Sequence, residues 1–314
     1  MDAEIAGLLK FQKRFGSIQS SQLSQESAGD LEVLTSAIQA RLLELQNIQM
    51  WRKDPDVYIS DLSYGVFLIM RRDFAPAADR LRSVISRERE IPRVLEAARK
   101  NISNPPRVYI QVALQQMHDN IKFFQNDVPE AFRQVQDPKL LAEFKASNDA
   151  AIEALSKYEE FMRKDLLPAS HGDFRLGAEN FRKKLLYDEM VDIPLDRLLE
   201  IGYADLRRNQ KHFKEVAAQI DPHRTPEAVL ADLRHDHPPA GQLLQTFRDT
   251  LGGLRQFIEQ HHIITIPSTI PPIVEETPPF ERALTTASMD TPGAYETKAT
   301  AALFHVTLSS DEHT

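Results

Sequence analysis

Through most of the first 260 residues, apolar side chains return at steps of three and four, and this period constrains the fold more than any other feature. Leu31, Leu34, Ile38, Leu42, Leu45 and Ile48 keep the spacing, with Glu32, Arg41, Glu44 and Gln46 filling the other face. A helix advances 3.6 residues per turn, so the pattern predicts a long amphipathic helix. Ala78, Leu81, Ile85, Val94, Leu95 and Ala98 repeat it with Arg80, Arg82, Arg87 and Arg89 outside. Pro92 predicts a kink or restart there, and Pro105-Pro106 an end. Tyr64 to Met70, flanked by Asp61 and Arg71-Arg72, reads as a buried helix. A third long helix runs from Leu141 to Met162 with Pro168 just past its end. A fourth runs from Leu195 to Ile220 with Pro194 in its first turn. A fifth spans about Ala240 to Glu259. Few glycines interrupt these segments, which predicts helices packed on helices. The Ser/Gln-rich stretch Ser17 to Asp30 reads as a loop.

The character changes after His261. His262 to Val274 is rich in β-branched residues and broken by proline, so it reads as extended chain. Thr291-Pro292-Gly293-Ala294 is a turn signal, and Ala302 to Leu308 alternates as a strand. In a one-sided sheet Phe304 and Val306 face the core, and His305 and Thr307 the other side. The expected fold class is mainly α: a large helical body over 1–261, and an extended segment over 262–314 that starts a small, incomplete β-sheet near the C-terminus. The chain reaches Ser309 to Thr314 with no helix after the last strand, so residues beyond it are expected to complete the sheet.

Composition narrows the chemistry. The chain has 314 residues, no cysteine and a formal charge of −8. Disulfides, thiolate nucleophiles and Cys-ligated metals are excluded. An acidic balance argues against general nucleic-acid binding, which needs a concentrated basic face. Met1 to Gly16 mixes apolar residues with charges and has no signal-peptide core. Nor does any apolar run approach the ~20 residues of a membrane span. The expected location is cytoplasmic by default, with the periplasm left open.

Motifs that carry chemistry are few. A helical zinc site needs two histidines four apart with a glutamate beside the first, and no His-Glu-x-x-His occurs. His235-Asp236-His237 reads as a solvated loop, and alternation sends His261 and His262 to opposite sides. Ser170-His171-Gly172-Asp173 unites catalytic residue types, but a triad is recognised by spatial roles. The plainer expectation is that Ser170 or Asp173 caps the following helix while Gly172 turns the chain. Glu275 and Glu276 are neighbours on a strand, so at most one points into a pocket. Gly252-Gly253 lacks the flanks of a nucleotide loop, and Arg182-Lys183-Lys184 reads as a solvated helix face.

Four spaced motifs carry a resemblance: Asn104 to Tyr109, His171 to Phe181, Ile270-Pro271-Pro272, and Met289 to Glu296. In this order, over nearly all of the chain, they resemble the bacterial "domain of unknown function 885" family. The resemblance implies a mostly helical, zinc-peptidase-like scaffold, with a deep cleft between helical walls and a small sheet near the metal. It also implies a His-Glu-Ala-Tyr-Pro-Gly-His motif supplying two zinc ligands and a general base. That motif is not in this sequence. No catalytic residue and no metal ligand therefore carries over, and zinc is expected only in a full-length relative. What carries over is 1–261 as cleft wall and a sheet edge able to align an extended peptide.

Gly293 and Tyr295 are the expected substrate-binding residues, glycine for close backbone approach and tyrosine for ring and hydroxyl. The alternative is that Tyr295 packs the turn against a helix and Gly293 only supplies a dihedral. The expected function is the non-catalytic N-terminal portion of a zinc-metallopeptidase-like hydrolase, inactive alone. The alternative is a helical peptide-binding or protein-interaction module. Expected partners are a peptide, the missing C-terminal portion and, through uncovered apolar faces, a second copy of the chain.

Overall fold

In the computed structural model, residues 1–308 are described except Ala240, Ala283 and Ala299. Helices follow one another as α1 (Asp2–Gly16), α2 (Gln25–Leu43), α3 (Met50–Lys53), α4 (Asp56–Arg71), α5 (Ala77–Glu88), α6 (Ile91–Asn101) and α7 (Arg107–Lys122). Then come α8 (Val128–Ala131), α9 (Pro138–Phe161), α10 (Ala178–Glu189), α11 (Leu195–Ile220), α12 (Pro226–Leu233) and α13 (Leu243–Gln260). Three short strands close the order: β1 (Ile273–Glu276), β2 (Ala287–Asp290) and β3 (Leu303–Val306). The expected class, mainly helical with a small C-terminal sheet, is what the chain adopts. The expected helix start at Ala240 and the tail Ser309 to Thr314 lie outside the described residues.

Local chemistry sets the boundaries. Ser24 caps α2 by accepting the Ser27 N–H at 3.1 Å, so the helix begins inside the stretch expected to be a loop. The Asp137 carboxylate accepts the N–H groups of Lys139 (3.0 Å) and Leu140 (3.2 Å), and Pro138 opens α9 where its missing N–H costs nothing. Pro92 sits in the first turn of α6, which is the restart the sequence predicts. Helices α1, α3, α7, α8 and α12 have no counterpart in the sequence reading.

Contacts group the residues into two compact units: Met1–Met50 with Phe174–His237, and Trp51–Asp173 with Pro238–Thr314. In the first unit burial is sparse. Leu42, Leu43, Leu45 and Ile48 are buried around the end of α2, while α11 buries only Ala217. Leu199, Leu206, Phe213 and Ile220, at every seventh position of α11, are exposed.

The second unit holds a dense core of Ile59, Phe67, Leu81, Ile110, Met117, Phe123, Phe124 and Leu155, joined by Phe280 from the sheet region. Two of the resembling motifs meet here. Asn104, in the left-handed region at φ 49°, accepts the His171 N–H on Oδ1 at 2.9 Å, and the Gly172 N–H donates to the Pro105 carbonyl at 3.2 Å. The expected cap is corrected: α10 starts at Ala178 behind Gly177, and the Ser170 hydroxyl instead donates back to the Leu167 carbonyl at 2.6 Å. Gly172 is there because a Cβ would lie 2.2 Å from the Asn104 carbonyl oxygen. Gly172→Ala is expected to cost about 2 kcal/mol or more, read as a lowered urea midpoint.

One carboxyl is sealed in this core. Glu88 is 0% exposed; its Oε2 lies 2.5 Å from the Ser147 hydroxyl and its Oε1 has no partner. Burial pushes it up to about 7 from an ordinary 4.5, against the lowering effect of Ser147. Ser147 also faces the Phe144 carbonyl at 3.0 Å, and its single hydrogen cannot serve both acceptors. A protonated Glu88 resolves the conflict by donating to Ser147. Between pH 4.5 and 7 the folded chain thus keeps a proton that the unfolded chain has lost. This stabilisation is complete below the unfolded value and disappears as pH rises through about 7. Glu88→Gln is expected to abolish that loss, on the order of 3 kcal/mol, so that the variant melts above the parent at pH 8 and close to it at pH 4.5.

Candidate functional site

The richest polar constellation lies in the second unit, where the C-terminal end of α4 meets the sheet. The sheet order is β1-β3-β2, with β1 parallel and β2 antiparallel to β3. Helical spacing on α4 sets Ser60, Asp61 and Tyr64 along one side and delivers Arg71 and Arg72 at the end.

Arg72 is nearly buried and grips three segments at once. Its Nη2 lies 3.1 Å from Asp290 Oδ2 and donates to the Asp290 carbonyl at 3.2 Å. Its Nη1 reaches Glu296 Oε2 at 3.5 Å and the Ala301 carbonyl at 3.4 Å. Arg71 Nε donates to Glu275 Oε1 at 2.8 Å, and the same oxygen lies 3.1 Å from His305 Nε2. Glu276, on the opposite face, binds Arg282 at 2.5 Å. The two glutamates therefore separate as strand alternation requires. Neither faces solvent as a free acid or base.

His305 corrects the one-sided sheet. It is 1% exposed, edge-on to Phe67 at 5.6 Å between ring centroids, while Phe304 meets Phe247 of α13 at 5.5 Å on the other face. Helices cover both faces, so alternation along β3 does not mark an outside. Burial holds the imidazole below its ordinary value; Glu281 and Asp290 pull it up, and Arg71 and Arg72 push it further down. Tyr64 is pushed up to about 12 by burial and by the charges of Asp290 and Glu281. Glu281 is raised, chiefly by burial, with His305 opposing.

Beside this clamp lies a cavity of about 340 Å³ lined by Asp61, Tyr64, Glu281, Met289 and Asp290 among others. Register fixes what β2 presents to it. Thr307 N–H donates to the Thr286 carbonyl, and Ser288 pairs with His305, so the even-numbered residues of β2 face β3. The backbone groups of Ala287 and Met289 then face outward. Thr285 Oγ1 takes the Ala287 carbonyl at 2.6 Å, which leaves Met289 N–H and C=O open among the described residues. The outer edge of β1 is different: Arg248 of α13 donates to the Val274 carbonyl at 2.9 Å.

The expected binding residues follow β2 directly. The Gly293 N–H donates to Glu296 Oε2 at 3.2 Å, and the Glu296 N–H returns to the Gly293 carbonyl at 3.0 Å. Gly293 is exposed with open space around it, and Tyr295 is 98% exposed, so the ring does not pack the turn against a helix. His261 lies against Phe257 at 4.2 Å, and among the described residues no three of His, Cys, Asp and Glu converge as a metal site. The sequence showed Arg71-Arg72 only as helix flanks; a doubled arginine before a helix end was the available signal.

Removing Arg72 strands two carboxylates. Arg72→Gln is expected to destabilise the second unit by about 3 kcal/mol at pH 7. Denaturant melts of parent and variant at pH 7 check this, and an unchanged midpoint would show that Arg72 does not hold the sheet end.

The family model described as "Bacterial protein of unknown function (DUF885)" matches residues 1–314. No curated protein matches. A solved structure of a candidate lipoprotein of unknown function from Shewanella oneidensis has a TM-score of 0.70 and 22% identity. The match covers 98% of this chain and 58% of that one. At that identity the likeness is one of fold, and this chain spans 58% of the neighbour's length. No described helix is long and apolar enough to cross a membrane.

Proposed function

Since the chain belongs to the bacterial DUF885 family, we propose that its second unit is the peptide-aligning wall of a zinc-metallopeptidase-like hydrolase. The observation that carries this reading is the open edge of β2. An extended peptide laid antiparallel to it gains two main-chain hydrogen bonds from Met289, and alternate side chains then fall toward the acidic cavity. Asp61, Glu281 and Asp290 favour a basic side chain there. Tyr295, one turn further, offers its ring to the next position of the peptide. These residues bind and orient. The histidines and glutamate that the resemblance implies for bond cleavage are not among them.

The same edge also serves the second reading, a peptide-binding module without chemistry, and two measurements test the binding that both readings require. Binding of a Lys-containing extended peptide is expected, with no hydrolysis even when zinc is added; turnover by these 314 residues would overturn the assignment of cleavage to groups outside them. Met289→Pro deletes an outward N–H that the β2–β3 ladder does not use. It is expected to weaken the peptide at least tenfold while leaving the thermal transition within a few degrees. Unchanged affinity would remove β2 from the function.

A further inference from the structure

A second cavity, of about 320 Å³, lies between α13 and the Ile270-Pro271-Pro272 motif, on the far side of the sheet's order from β2. Its walls are apolar: Leu251 from the helix, the rings of Pro271 and Pro272, and the buried Val274. Proline rings are rigid and lack N–H groups, so this wall offers surface and no donors. Gly252 opens the helix side, where an added Cβ would meet nothing within 4 Å.

Two guanidinium groups frame this apolar slot. Arg248 and Arg255 are seven residues apart on α13, two turns or ~10 Å along one face. Arg255 is occupied: its Nε pairs with Glu259 Oε1 at 2.9 Å and its Nη atoms reach the Thr269 and Ser268 carbonyls. Arg248 is not. One Nη2 bond to the Val274 carbonyl fixes its direction, and among the described residues no carboxylate stands within ion-pair distance of it. A guanidinium has five donors, and it matches a carboxylate in a two-pronged geometry.

We infer that this slot binds an organic anion with an apolar body and one terminal carboxylate, its chain between Leu251 and the two prolines and its carboxylate on Arg248. The inference does not rest on the reading of β2. The apolar walls supply affinity in proportion to the area they cover, and Arg248 supplies the sign of charge. A free aliphatic acid and the C-terminal carboxylate of a peptide share this chemistry.

Calorimetric titration of the whole chain with octanoate, octanol, octylamine, and a Leu-rich tripeptide as acid and as amide tests it. At least one carboxylate is expected to bind ten times or more tighter than its neutral counterpart, with octylamine weakest. Octanoate alone identifies an aliphatic acid, and the tripeptide acid alone identifies a peptide end. Arg248→Gln, which removes the charge but keeps an amide able to donate to the Val274 carbonyl, is expected to bring the carboxylate down to the affinity of the neutral ligand while leaving the affinity for octanol unchanged. Gly252→Leu fills the slot and should weaken acid and alcohol alike. Absence of carboxylate binding, equal affinity for acid and alcohol, or an unaltered affinity in Arg248→Gln would overturn the inference.

Discussion

Everything at the sheet end of the second unit depends on Arg72. One buried guanidinium holds the carboxylate and carbonyl of Asp290, the carboxylate of Glu296 and the carbonyl ahead of β3. Three four-residue strands are too short to be stable by themselves. Their register is maintained by the end of a helix that is itself anchored through Phe67 in the core. A planar cation with five donors suits this task, because its fork can meet acceptors from several segments at once. The cost of burying it is met by two acids, one of which, Asp290, also lines the cavity beside it.

The sheet's two edges differ because of their neighbours. On β1, the outward carbonyl of Val274 is capped by Arg248, and α13 lies along the strand. On β2, the outward groups of Met289 have no such cover among the described residues. An uncovered edge is a standing invitation to pair with other chains. Its shortness and the charged residues around it limit that hazard while keeping the edge available. The two proposals follow from this asymmetry, one from the open edge and one from the slot formed where the other edge is covered.

Polar groups inside the helical core follow another logic. Ser63, Gln116, Asn120 and Asn148 are buried with Glu88, and several of their atoms have no partner. Ser63 Oγ donates to Asn120 Oδ1 at 2.5 Å and Asn148 Nδ2 to the Phe124 carbonyl at 2.9 Å. Such groups add little net stability, but they penalise any slipped packing of α4, α5, α7 and α9 in which they would be left dry and unpaired.

The helical spacing along Leu31 to Ile48, Leu141 to Met162 and Leu195 to Ile220, the restart at Pro92 and the strand at Ala302 to Leu308 were legible in the sequence, because period and proline act over a few residues. The separation of Glu275 from Glu276 was legible for the same reason. The division into units, the closure of Asn104 on Gly172, the burial of His305 and the joining of Arg72 to Asp290 were not. Each unites residues tens to hundreds of positions apart, and alternation on β3 cannot reveal that α4 and α13 cover both of its faces. By itself the sequence determined where the long amphipathic helices run and where extended chain takes over, since that is a matter of local backbone and side-chain chemistry. Only the tertiary structure decided which charges meet and, among the described residues, which strand edge stays open and which arginine lacks a carboxylate, since these depend on what long-range packing brings within reach.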